Sequence, residues 1–384
     1  MSYIRIITLL FSFLTVTDSS SAELKMIYKG VDTILANGGL NIHKIQLPAK
    51  IDTAKTFLMF ESSSSGDRPT NGHVRGKIKS DSTIAFYRLS NESAPGIPII
   101  ISWNVIEFEH GVRTQRGGVA MANRKNIVNI NPVVSTSQAF ILISKTAKVD
   151  DGSFGFNDYI LADFNSTSQI EIRVDLETVE HIINWEVIEF LNPADINVQR
   201  GSTSMDGTTT LVSSTLVSAV DLSKSFLLTG YTVQANHTQI GAYSLRSEIT
   251  NNNTVSFERL ATSSPDSIDE IGYQVVELLD GSIVHSGKTD FNTGVLSQNV
   301  NFPRTIQSHT IAIGSSQPAN GQCIGSTSYT ANDINGICSY LIDVTGDDQI
   351  TLERKSSVGF SSINWFVIQF NCESPNQPSA VFRK

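Results

Sequence analysis

One eight-residue strand occurs four times in this chain, and that recurrence limits its architecture more than any other feature. ISWNVIEF spans Ile101 to Phe108, INWEVIEF Ile183 to Phe190, INWFVIQF Ile363 to Phe370, and a looser copy, IGYQVVEL, Ile271 to Leu278. The aromatic position (Trp103, Trp185, Tyr273, Trp365) returns about every 85 residues, the length of a small domain and not of a solenoid repeat. A single such strand cannot bury its own apolar side chains, so each copy must close a unit that can.

Other features fall into register with it. A piece ending in glycine opens each unit: MIYKG to Gly30, VRTQRG to Gly117, INVQRG to Gly201 and IVHSG to Gly287. An alternating stretch follows, then a denser apolar one (TFLMFE, AFILIS, SFLLTG, HTIAIG), a loop rich in Gly, Ser and Asn, and a strand ending near an arginine. The runs are β-branched or aromatic with period two, bounded by Gly, Pro, Asn and Asp, and helical periodicity is missing. The expected fold is all-β: four tandem antiparallel β-sandwich repeats of about six strands each, joined by very short turns. The boundaries read 23–110, 111–193, 194–281 and 282–371, with a tail over 372–384.

The joints EHG, LNPAD and LDGS have hairpin length, so the last strand of each unit is expected to pair with the first strand of the next. On that expectation the strand at Met26 to Gly30 lacks a partner and the strand of Trp365 has a free edge, which would let chains join by strand donation.

Within INWEVIEF the side chains alternate, Trp185, Val187 and Glu189 against Glu186, Ile188 and Phe190. The Ile and Phe face is read as core, and the Trp face as packing on a loop or a neighbouring unit. Because Tyr273 stands in for Trp and the position is mid-strand, the aromatic residues are read as packing anchors in preference to sugar-stacking platforms. Arg88, Arg173, Arg259 and Arg354 recur at the end of the fifth strand and are expected to hold the loop before the closing strand. Glu107, Glu189, Glu277 and Gln369 are expected to face the following strand, Glu107 near Arg113.

Residues 1–22, with Arg5 before IITLLFSFLTV and Ser20 and Ala22 at small-residue positions, read as a secretory signal peptide. The mature chain is then extracellular or at a cell surface, with no transmembrane segment. In that compartment Cys323 and Cys338, flanking one Gly/Asn-rich loop, suit a disulfide worth about 3 kcal/mol in the chain-entropy view, which leaves Cys372 over. Charged residues are 17% and the formal net charge is -9, a balance that argues against nucleic acid. The acidic loop VDDGSFGFND has oxygen donors for calcium but lacks EF-hand spacing and occurs once, so no cofactor is expected. The seven histidines are scattered and read as surface or turn residues, and no catalytic motif occurs.

In outline, a V-x-x-G-like start, six strands and a closing I-x-W-x-x-I strand, each unit resembles the H-type lectins. The fourth unit carries this furthest, with HSGKTDF, NVNFPRTIQSHTIAIG and SSINWFVIQF. The resemblance implies a six-stranded antiparallel sandwich, binding of galactose-type sugars and association of several copies. The family's Trp-His pair after the fifth strand has no counterpart in RLSNES, RVDLET, RLATSS or RKSSVG, so no sugar-binding position is carried over. The expected function is a non-enzymatic binding or adhesion protein that recognises glycans or surface macromolecules multivalently and self-associates. The alternative is a structural subunit of a coat, appendage or filament.

Overall fold

The computed structural model describes residues 21–35, 39–66, 72–90, 97–121, 123–147, 158–174, 181–234, 243–259, 267–318, 335–372 and 380–381. The first stretch of strands is β1 (Glu23–Ile34), β2 (Gly39–Gln46), β3 (Thr56–Ser64), β4 (Arg75–Ser80), β5 (Thr83–Ser90) and β6 (Ile99–His110). The second is β7 (Val112–Met121), β8 (Lys125–Asn129), β9 (Ala139–Ala147), β10 (Leu161–Ser166), β11 (Gln169–Arg173) and β12 (His181–Phe190). The third is β13 (Ile196–Met205), β14 (Leu211–Thr215), β15 (Ser225–Gln234), β16 (Arg246–Asn251), β17 (Thr254–Glu258) and β18 (Ser267–Leu278). The fourth is β19 (Ile283–Phe291), β20 (Ser297–Asn301), β21 (Thr310–Pro318), β22 (Tyr340–Val344), β23 (Gln349–Arg354) and β24 (Ser361–Gln369).

These strands form eight small antiparallel sheets, and one strand order recurs: β1-β6-β3 with β2-β5-β4, β7-β12-β9 with β8-β11-β10, and likewise for the third and fourth stretches. A short strand, β25 (Ala380–Val381), adds to the free side of β1 in parallel. Outer strands such as β8 alternate exposed and half-buried residues, whereas β12 is buried along almost its whole length because both its faces are covered.

The joints correct one expectation. β6 passes to β7 through Gly111 alone, at φ +79, yet the two strands lie in different sheets. A closing strand has no side left for the next unit, since β6 is flanked by β1 and β3, and β12 by β7 and β9. β24 is likewise held between β19 and β21, so Ile363 to Phe370 has no open edge, and Met26 to Gly30 pairs within its own sheet.

The glycine that opens each unit explains this pairing. Gly30, Gly117, Gly201 and Gly287 stand opposite Trp103, Trp185, Tyr273 and Trp365. A Cβ on Gly117 would lie 2.4 Å from Trp185 Cζ2, one on Gly201 2.2 Å from the Tyr273 hydroxyl, and one on Gly287 2.4 Å from Trp365 Cζ2. The rings lie across the first strands, and only glycine leaves room for them.

The faces of the closing strand are also reassigned. Ile183, Trp185 and Val187 share a buried cluster with Ile170 and Ile172 of the companion sheet. Ile188 and Phe190 join a larger cluster containing Phe57, Phe108, Phe140, Phe226 and Phe370, drawn from all four stretches. The Trp face therefore packs between paired sheets, and the Ile and Phe face packs at the centre of the molecule.

Around that centre the paired sheets close into a ring through contacts of one kind. Between the first and second, Asn184 Nδ2 donates to Gly76 O at 2.8 Å and Gly76 N to Ser144 Oγ at 3.2 Å. Between the second and third, Tyr231 N donates to Ile160 O at 3.2 Å; between the third and fourth, Ser247 N donates to Ser315 Oγ at 2.8 Å. The fourth returns to the first where Ser102 Oγ donates to Ile342 O at 2.8 Å. The residue before three of the four opening glycines reaches the preceding unit's third-strand entry. Arg116 donates to Thr53 O and Thr56 O, Arg200 to Thr136 O and Ala139 O, and Lys29 to Gln307 O at 2.7 Å, which closes the circle.

The joints form a second circle at one end. Leu191 N donates to Gly111 O, Leu279 N to Asp195 O, Asn371 Nδ2 to Asp280 O, and Leu24 N to Asn371 O. Most of the expected leader lies outside the described residues, but Ala22 is buried in this network, its N–H donating to Asp195 Oδ2 at 2.6 Å. Removal of Ala22 with a leader would break that contact. Among the described residues no helix is long and apolar enough to cross a membrane. No disulfide joins described residues: Cys338 is buried, Cys372 is half-buried, and Cys323 lies outside them.

Candidate functional site: the axial cavity

The third strands, β3, β9, β15 and β21, meet at the axis in matching register, with Phe60, Ile143, Thr229 and Gly314 opposite the four recurring aromatic residues. Side chains on their other face stack in layers. Phe57, Phe140, Phe226 and Ile311 form the first, with Phe57 and Phe140 edge to face at 5.9 Å and Phe140 and Phe226 at 6.1 Å. Met59, Leu142, Leu228 and Ile313 form the second. The third position holds Glu61, Ser144, Gly230 and Ser315, so the axis changes from apolar to polar within two steps of one strand.

Above the aliphatic layer lies a cavity of about 470 Å³ lined by Leu142, Leu228 and Ile313 below and by Glu61, Ser62, Ser144, Thr229 and Ser315 around it. A second cavity of about 220 Å³ adjoins it, with Glu61 and Ser315 on both walls. Further charged groups reach the first cavity from two sides. Glu186 accepts from Arg116 Nε at 2.8 Å and from Leu58 N at 2.8 Å, tying the second closing strand to β3. Asp158 is ion-paired to Lys145 at 3.6 Å, with the His73 imidazole at the same distance.

Burial dominates the electrostatics here. Desolvation raises Glu61 from the usual carboxylate range to about 7, opposed by the Gly314 N–H, which donates to Oε1 at 3.3 Å. Glu186 is also raised by burial, with Arg116 and the Leu58 N–H pulling the other way. Burial and then the Lys145 charge hold His73 well below its usual value. Tyr159 is pushed far up by burial, then by Tyr231 and Asp158, and remains a neutral phenol.

The residues singled out in the sequence lie elsewhere and are structural in their contacts. Trp103 Nε1 donates to Asp32 at 2.9 Å, Trp365 Nε1 to Thr289 at 3.1 Å, and the Tyr273 hydroxyl bonds Ser214 at 2.8 Å. Arg88 donates to Ile34 O and to Ile97 O in the loop before β6, and Arg354 to Asn292, Val295 and Ile337 carbonyls and to Ser361 Oγ. Arg259 donates to Asp206 O and Thr209 O, whereas Arg173 pairs with Glu270 on the surface between the second and third units.

The strand-end acids have a different role from the expected one. Glu107 pairs with Lys25, and Arg113 with Glu189, so each contact falls within one unit. The other recurring contact is with backbone: Asp52 N, Val134 N, Asp221 N and Ile306 N donate to Glu107, Glu189, Glu277 and Gln369, fixing the entry to each third strand. His181 and His309 are buried, against the expectation of surface histidines. Residues 148–157 of the acidic loop lie outside the described residues, and Asp158 at its end faces Lys145.

The sequence reading missed Glu61 and Lys145, took His73 for a surface or turn histidine, and reached Asp158 only as the end of the acidic loop. Glu61 left a trace, as a carboxylate where the aligned third strands carry Ser144, Gly230 and Ser315. The chain matches no known protein-family model, and no curated protein is significantly similar to it.

Proposed function

We propose that the protein is a non-enzymatic binding protein, exported to the cell exterior, made of four tandem six-stranded sandwiches closed into a ring, and that it holds a glycan at the axial cavity. The observation that carries this reading is the convergence of all four third strands on one cavity with an apolar floor and a hydroxyl-rich wall. A sugar presents the same two surfaces, a C–H face for Leu228 and Ile313 and hydroxyls for Ser144 and Ser315. The segments between third and fourth strands, residues 65–74, 148–160, 235–245 and 319–339, differ in length and sequence from unit to unit. The joint end is bound into the ring by recurring hydrogen bonds.

The ring alters the expected valency. One cavity on the axis serves the whole chain, so avidity at a surface requires several chains side by side. A glycan panel probed with full-length protein, followed by calorimetric titration of the best ligand, tests the reading. The expected result is a defined glycan class bound at one site per chain. Four equal sites per chain would place binding on the separate units, and no glycan bound by folded protein would overturn the reading.

A further inference from the structure

Resting on the glycan reading, we infer that the axial cavity is built for a sugar bearing a free primary ammonium, with Glu61 as its counter-ion. Glu186 is matched by Arg116 at 2.8 Å, and Asp158 by Lys145 at 3.6 Å. Glu61 is different. The structure gives its side chain one hydrogen bond, the 3.3 Å contact from Gly314 N–H, and no ion pair among the described residues.

A half-buried carboxylate facing a cavity without a cation is costly unless something arrives to neutralise it. Placement adds to the case. In the polar layer the other three units have Ser144, Gly230 and Ser315, so the fold does not require an acid there, and β3 alone carries one. Ser144 accepts from Gly76 N and Ser315 bonds Ser247, so their hydroxyls hold the ring walls together while Glu61 faces two cavities.

A divalent cation fits less well, because no group of three or more potential metal ligands occurs among the described residues. An ammonium needs one carboxylate and a few neutral acceptors, and Ser144 and Ser315, on the same strand face as Glu61, line the same cavity. The aliphatic layer beneath suits the pyranose face of an amino sugar.

The test is titration calorimetry at pH 7.5 with full-length protein, using the β-1,4 disaccharide of glucosamine, its N,N′-diacetyl form, and putrescine as an ammonium without a sugar. The free-amine disaccharide is expected to bind at least tenfold tighter than the acetylated one. Glu61→Gln, which keeps an acceptor for Gly314 N–H, is expected to abolish that preference while its melting curve stays cooperative. Glu61→Asp, which keeps the charge on a shorter arm, is expected to retain part of it. Equal affinity for both disaccharides, unchanged by Glu61→Gln, would overturn the ammonium inference and leave the glycan reading standing. Putrescine bound through Glu61 with no sugar bound would support the ammonium site and overturn the glycan reading. No binding of any probe would overturn the ammonium inference, and the glycan panel would then decide the broader reading by itself.

Discussion

The smallest working part of this fold is a glycine facing an aromatic ring. Gly287→Ala puts a Cβ 2.4 Å from Trp365 Cζ2, so the ring must leave its seat and its bond to Thr289. The expected cost is about 2–4 kcal/mol, read as a lowered denaturation midpoint. The recurring arginines differ in weight. Arg354 is fully buried and donates to three carbonyls and a hydroxyl, so Arg354→Met should destabilise by about 3 kcal/mol or more, because those acceptors lose their donor. Arg173→Met removes a partly exposed ion pair with Glu270 and should cost about 1 kcal/mol or less. Glu61 gives a stability signature that needs no ligand. Its carboxyl is raised from 4.5 to about 7 by burial, so the folded state holds the proton more tightly than the unfolded one. That contribution is complete below pH 4.5 and lost as pH rises through 7. Glu61→Gln is therefore expected to match the parent at pH 4 and to exceed it at pH 8 by up to about 3 kcal/mol, measured by chemical denaturation at both pH values.

At the scale of elements, alternation and turn residues were enough to find the strands, and aligning the four closing strands found the glycines and arginines that act with them. The pairing at the joints was not legible in the same way. A one-residue connection such as Gly111 ordinarily means a hairpin, but β6 was already flanked on both sides by its own first and third strands. Occupancy of a strand's two sides is a long-range property that a local turn signal does not carry. The opening VRTQRG and INVQRG pieces held a further clue: Arg116 and Arg200, like Lys29, point to the preceding unit, and only the glycine beside each was read. The correction has a direct check in hydrogen exchange. Amides of Ile363 to Val367, held between β19 and β21, should exchange as slowly as those of Ile101 to Val105 in β6. A free edge would exchange faster by orders of magnitude.

At the scale of the molecule, the four units are linked by a shared aromatic centre, a circle of joint hydrogen bonds, and wall contacts that return from the fourth unit to the first. The axial cavity exists only because of this closure, since its lining comes from all four third strands. For that reason the site could not be read from any one unit: Glu61 becomes notable only beside Ser144, Gly230 and Ser315. Small-angle X-ray scattering of the monodisperse chain tests closure most directly. For a compact body of 384 residues a radius of gyration of about 21 Å and a single-peaked distance distribution are expected. An elongated distribution with a radius of gyration above about 30 Å, as four units in an open row would give, would contradict the ring and with it the axial site.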